Sequence, residues 1–191
     1  RNALLGHVNW EPVTFEGVVS FDTLGGLDRD MNFAFEPTNG RAPFTKFQNA
    51  PNQAITEWEI QNQPPGESLE YLRDVGRLHL EINGAQSAAR FGAAAADESE
   101  PFLALASASR TQARLSISRR PAVATGLLGV DLDHEVFAEL HPLYSLAWLD
   151  SCEDSEAETV EIWKLMFANA GAEGWVSSGR RHFLGLSGPE F

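Results

Sequence analysis

The sequence predicts a mainly β protein, a single domain folded as a sandwich or a jelly-roll-like barrel with short helical segments. Short alternations of apolar and polar residues recur along most of the 191 residues, and no long amphipathic helix pattern is present. The apolar fraction of 43% is typical of a globular protein with a real core. Because this length is most simply one domain, we expect residues 1–191 to form a single β-rich unit.

Two strands are predicted in the first quarter of the chain. Apolar residues occupy every second position from Val13 to Phe21, and the same alternation recurs from Met31 to Phe35. The stretch from Pro37 to Gln53 contains four prolines and glycines, which favours a long loop. A third strand is expected at 57–60, where Trp58 and Ile60 alternate with glutamates.

The middle of the chain predicts a helical turn followed by further strands. Residues 67–74 fit a short helical turn, and residues 78–82 alternate leucine and isoleucine with polar side chains. Residues 102–106 and 114–118 resemble another pair of strands.

The last third is ambiguous between helix and strand until Pro142 is considered. The apolar residues from Val136 to Trp148 fit both the helical period of 3.6 residues and the strand period of two, but a proline in the middle opposes a continuous helix. We therefore predict a strand bent at Pro142. The run 150–161 has six acids and no base, which favours a solvated loop, and 162–167 predicts a central strand.

The charge and the cysteine content exclude several classes of function. A formal charge of −13 repels phosphates, so we expect no nucleic-acid binding, and no apolar run is long enough for membrane insertion. Cys152 is the only cysteine, which excludes an intrachain disulfide and a multi-cysteine metal site. The chain begins at Arg1, so we expect processing or excision, with a secreted, extracellular or particle-associated location.

The strongest candidate site is a cluster of histidines and carboxylates around Pro142. If the segment Glu139-Leu-His-Pro142 is a strand, Glu139 and His141 project from the same face. Imidazole and carboxylate groups bind divalent cations such as zinc or calcium, and the preceding turn supplies further ligands. The alternative is that His141 packs beside Pro142 while the acids line a turn. The candidate metal ligands are Asp131, Asp133, His134, Glu139 and His141.

Two weaker candidates lie earlier in the chain. Asp28, Asp30 and Asn32 are spaced like the start of a calcium loop, but Phe33 replaces the glycine that a helix-loop-helix site requires. A looser cation-binding loop and a plain acidic turn both remain open. A third group, made of His79, Glu81 and Asn83, shares one face of a strand, and a water-facing polar face is favoured there over a catalytic one.

A further indication comes from a resemblance to other sequences. The segments Gly126-Leu-Leu-Gly-Val-Asp131-Leu-Asp-His134 and Glu139-Leu-His-Pro-Leu-Tyr144 resemble a group of uncharacterised bacterial β-rich proteins. A later turn, Asn169-Ala-Gly-Ala-Glu-Gly-Trp175, fits the same group, and the resemblance covers about two thirds of the chain. It implies a genuine polar site without implying a reaction.

Two functions are consistent with these patterns. The first is a non-enzymatic binding or assembly domain, such as a surface, coat or filament subunit, stabilised by a divalent cation and contacting a protein partner or its own copies. The alternative is a metal-dependent hydrolase that uses Asp133, His134, Glu139 and His141. The hydrolase predicts polar groups that converge in a pocket. The assembly domain predicts an exposed apolar face or an exposed strand edge.

Overall fold

The computed structural model describes residues 7–24, 31–38, 49, 51–82, 105, 108–131, 137–154 and 159–167. The described chain is mainly β, which confirms the predicted fold class. Two short helices and a 3-10 turn at Glu70–Arg73 accompany the strands. The strands are β1 (His7–Leu24), β2 (Met31–Pro37), β3 (Leu78–Ile82), β4 (Arg120–Asp131), β5 (Phe137–Asp154) and β6 (Thr159–Phe167), and the helices are α1 (Gln53–Gln61) and α2 (Arg110–Ser116).

All six strands belong to one sheet, and five of them form a ring. The order is β3-β2-β1-β4-β5-β6, with every neighbouring pair antiparallel. In addition, β3 pairs in parallel with the beginning of β5, where His79 lies opposite Glu139. One edge of β5 pairs with β4. The other edge pairs with β3 near residue 139 and with β6 from residue 145 onwards.

The core lies inside this ring and follows from the alternation in the sequence. On β1 the buried side chains include Phe15, Val19 and Phe21, and on β2 Met31 and Phe33 are fully buried. The rings of Phe21 and Phe33 meet edge to face with their centroids 5.6 Å apart, a favoured aromatic geometry. The predicted strands at 13–21, 31–35 and 78–82 are therefore confirmed.

Gly17 occurs where β1 and β2 lie too close for a side chain. A Cβ atom at this position would be 2.3 Å from the carbonyl oxygen of Glu36 and 2.8 Å from the Cα atom of Pro37. Both contacts are with backbone, so no side-chain rotation relieves them. We expect Gly17→Ala to lower the free energy of unfolding by roughly 1–3 kcal/mol, measured by urea denaturation. A loss below about 0.5 kcal/mol, the range of a neutral surface change, would contradict this close approach.

The strand predicted at 57–60 is wrong, because these residues belong to α1. The side chain of Asn52 accepts hydrogen bonds from the backbone N–H groups of Ala54 and Ile55, which caps the helix. The helix buries Ile55, Thr56 and Glu59 at helical spacing. Four alternating residues were too few to distinguish the two periods.

The strand predicted at 114–118 is also wrong, since α2 extends to Ser116. Ser109 and Gln112 form a reciprocal capping box, in which each side chain accepts a hydrogen bond from the backbone N–H of the other residue. The helix buries Ala113 and Arg114 against the ring. Of the partner strand predicted at 102–106, only Leu105 is described, and it is helical.

The predicted strand around Pro142 is confirmed as part of β5. The register between β4 and β5 shifts on both sides of Gly126. The partners of this region on β5 are residues 140–145, so the irregular part of the pairing includes Pro142. The loop predicted at 150–161 is wrong in its described part. Residues 150–154 continue β5 and residues 159–161 begin β6.

Candidate functional site

The polar cluster predicted near Pro142 is partly present in the structure. Glu139 and His141 lie on the same face of β5, with the Nδ1 atom of His141 3.8 Å from Oε1 of Glu139. Both side chains are buried. The expectation that these two residues share a strand face is therefore confirmed.

Two more residues join this cluster from β3. Oε1 of Glu81 lies 3.6 Å from Nε2 of His141, and Oε2 of Glu81 lies 3.4 Å from Nε2 of His79. The parallel pairing of β3 with β5 produces this approach, because it aligns the polar faces of the two strands. Asn32 on β2 lies opposite Glu81 in the sheet. Residues from all three groups singled out in the sequence therefore occupy neighbouring positions.

Of the other predicted metal ligands, Asp131 is the one that lies among the described residues. Asp131 is buried on β4, in register with Phe137, while Glu139 is in register with Gly129. Among the described residues, no three histidine, cysteine or acidic side chains are arranged to hold a metal ion. The predicted residues that lie outside the described ones are Asp28, Asp30, Asn83, Asp133 and His134.

A second candidate site lies on β6, which the sequence predicted to be a central strand. That prediction is wrong, because β6 pairs with β5 alone among the strands that the structure describes. Its large apolar side chains are accessible: Val160 is 45% exposed, Trp163 42% and Leu165 44%. Met166, by contrast, is buried in the core.

The exposed residues of β6 continue into an apolar strip across the outside of the sheet. Trp163 lies opposite Leu149, and Leu165 lies opposite Ala147, which in turn lies opposite Val123 on β4. Residues that are directly opposite in antiparallel strands share a face. We call these five residues the β6 surface.

Beyond the β6 surface the sheet narrows to two strands. The pairing of β4 with β5 ends at Trp148. Among the described residues, 151–154 of β5 therefore pair only with 159–162 of β6. We call these two segments the acidic ribbon, since Glu153, Asp154 and Glu161 are all exposed on it. A two-stranded ribbon is only marginally stable in water, so further contacts along its edges would stabilise it.

The polar groups near the β6 surface have local partners. Nζ of Lys164 lies 2.9 Å from Oδ1 of Asp150, and the indole N–H of Trp163 donates to Glu161 at 2.9 Å. The one cation of β6 is therefore neutralised by a neighbouring carboxylate. The net charge along this edge is negative.

No protein-family model, no curated protein and no solved structure matches this chain. Within the described ranges, none of the helices has the length and apolar character needed to cross a membrane. The resemblance to bacterial β-rich proteins therefore stays a prediction.

Proposed function

We propose that this protein is a binding domain that docks an extended segment of another protein along β6. One observation carries the proposal: an edge strand in the described structure presents Val160, Trp163 and Leu165 to solvent. Strand addition at a sheet edge provides main-chain hydrogen bonds for affinity and side-chain contacts for specificity. Tryptophan is among the residues most often responsible for binding energy at protein interfaces.

The exposed face of β6 supports this function, although the strand carries some of the usual protections of an edge strand. Soluble proteins block such edges with prolines, bulges or inward-pointing charges, most often lysine. β6 has no proline, but its one lysine, Lys164, lies opposite the buried Trp148, and β5 has a register shift between Leu149 and Ser151. The other face of β6 keeps Trp163 and Leu165 exposed, and an exposed apolar surface is typical of an interaction site.

Replacing the aromatic anchor tests this proposal directly. We expect Trp163→Ser to abolish binding of a synthetic strand-forming peptide of alternating valine and threonine, measured by fluorescence anisotropy. Because the side chain is already 42% exposed, the free energy of unfolding should fall by only about 1 kcal/mol. The matched control is Leu115→Ser, an exposed apolar residue of α2, which should bind the peptide like the wild type. Equal binding by wild type and Trp163→Ser would contradict the proposal.

We propose cation binding at the polar cluster as a second function. Asn32, His79 and Glu81 occupy neighbouring positions on β2 and β3, and Glu81 lies 3.6 Å from Nε2 of His141. Imidazole and carboxylate ligands together favour zinc over calcium. Since the described side chains alone form no metal-holding group, this proposal requires a ligand from Asp133 or His134.

Elemental analysis of the purified protein tests the second function. We expect stoichiometric zinc in the wild type and its loss in His141→Ala. The control is Cys152→Ser, which removes an exposed thiol on β5 and should retain the metal. A wild-type protein without zinc or calcium after dialysis against each ion would contradict cation binding.

A further inference from the structure

We infer that the segment bound along β6 is cationic at one end and apolar at the other. This inference rests on the proposed binding function of β6 and adds the chemistry of the partner. It is carried by the way that charge and apolar surface are separated along the strand.

The negative charge is concentrated at the beginning of β6 and the adjacent end of β5. The sequence from 150 to 161 has six acidic residues and no basic one. Of these, Glu153, Asp154 and Glu161 are exposed on the acidic ribbon. Lys164, the one lysine of β6, is paired with Asp150. Asp154 and Glu161 accept hydrogen bonds from the neutral side chains of Thr159 and Trp163. Within the described part of the chain no cation is paired with the three exposed acids, so lysine or arginine side chains of a partner would supply their counter-charge.

The apolar contacts follow immediately along the same strand. Glu161, Trp163 and Leu165 alternate on one face of β6, so a segment lying beside them passes from acidic to apolar surface within about 14 Å. The neighbouring side chains of Leu149 and Ala147 extend the apolar part. The partner therefore needs basic residues beside 159–161 and apolar residues beside 163–165.

A second copy of this chain is a poor partner for the same edge. Each copy has a formal charge of −13. An antiparallel pair of β6 strands, as in a two-fold symmetric dimer, would place the acidic end of each copy beside the apolar end of the other. The carboxylates would then gain no counter-charge, whereas a cationic segment supplies one.

The test compares three labelled peptides of about eight residues, a typical strand length. All three begin with alternating valine and threonine, and the other half alternates threonine with lysine, serine or glutamate. By fluorescence anisotropy we expect the lysine peptide to bind at least about ten-fold more tightly than the serine peptide, with the glutamate peptide weakest. Raising the salt to about 0.5 M should reduce this preference to about two-fold or less.

Two double variants test whether the acidic ribbon causes the preference for the lysine peptide. In the double variant Asp154→Asn and Glu161→Gln, which removes the two exposed ribbon charges on the face of Trp163, the lysine peptide should lose most of its advantage over the serine peptide, whose affinity stays unchanged. The matched control is Glu67→Gln with Asp74→Asn, which removes two exposed acids outside the ribbon and should keep the preference for lysine.

Each alternative outcome is distinguishable. Equal affinities for the three peptides, lost in Trp163→Ser, would overturn the cationic partner and leave the docking function intact. Absence of binding by all three peptides would overturn both. Concentration-dependent dimerisation in sedimentation experiments, lost in Trp163→Ser, would identify a second copy as the occupant and overturn the cationic partner.

Discussion

Replacing Arg77 with methionine is expected to lower the free energy of unfolding by about 3–5 kcal/mol. The side chains of Arg77 and Glu59 are 5% and 0% exposed, and Nη1 of the arginine donates to both carboxylate oxygens at 3.0 and 2.8 Å. Nη2 donates to the hydroxyl of Thr56, and the hydroxyl of Ser20 donates to Glu59. Removing the arginine leaves a carboxylate inside the protein without its cation.

The matched control removes both charges at once. Arg77→Met combined with Glu59→Leu should be less destabilised than Arg77→Met alone, because no isolated charge remains buried. Urea denaturation of the two single variants and the double variant gives the coupling energy between the residues. A loss of less than about 1 kcal/mol for Arg77→Met, a typical single-substitution effect, would contradict a stabilising role of this buried ion pair.

Asp22→Asn should have the next largest effect, a loss of about 2–4 kcal/mol from disrupting a buried charge network. Oδ1 of Asp22 accepts a hydrogen bond from Nη2 of Arg114 at 3.1 Å, and Oδ2 accepts one from Asn52 at 2.6 Å. Burial is the main cause that lowers the pKa of Arg114, and the positive charge of Arg110 adds to it, while Asp22 opposes both. Without the carboxylate, a buried guanidinium loses its counter-charge.

The position of Asp22 explains why this loss affects more than one contact. Asn52 holds Asp22 with its amide nitrogen and caps α1 with its amide oxygen, so the carboxylate connects β1 to both helices. Thermal and urea denaturation of Asp22→Asn measure the loss. The control is Asp150→Asn, which removes an accessible partner of Lys164 and should cost less than about 1 kcal/mol. Equal losses of unfolding free energy in Asp22→Asn and Asp150→Asn would contradict the claim that the buried carboxylate contributes more to stability than the accessible one.

The buried strands and the helical turn at 67–74 were predictable from local sequence, whereas segments of the two α-helices were wrongly predicted to be strands. Alternation over five or more residues, as at 13–21 and 78–82, identified buried strand faces correctly. The alternation at 57–60 covers four residues, which is less than one and a half turns of an α-helix. It therefore did not distinguish a strand from a helix, and the cap at Asn52 begins a helix here. The Ser109-x-x-Gln112 pattern of α2 was visible in the sequence and is a recognised helix start.

The candidate sites depended on pairings that local patterns do not encode. Glu139 and His141 were correctly expected to share a face, because that follows from strand geometry alone. Their approach to Glu81 requires parallel pairing of segments nearly sixty residues apart in the sequence. Likewise, an apolar strand such as β6 has the same pattern at an edge or in the centre. Only the strand order shows that Trp163 is exposed.

Backbone amide hydrogen exchange along β6 tests the central claim most directly. In the free protein, the amides of residues 160–165 that do not pair with β5 should exchange rapidly, whereas those of β2 in the core should be protected. Saturation with the lysine peptide should slow the rapid β6 amides at least about ten-fold and leave β2 unchanged. Full protection of every β6 amide in the free protein, or no slowing in the complex, would contradict docking by strand addition.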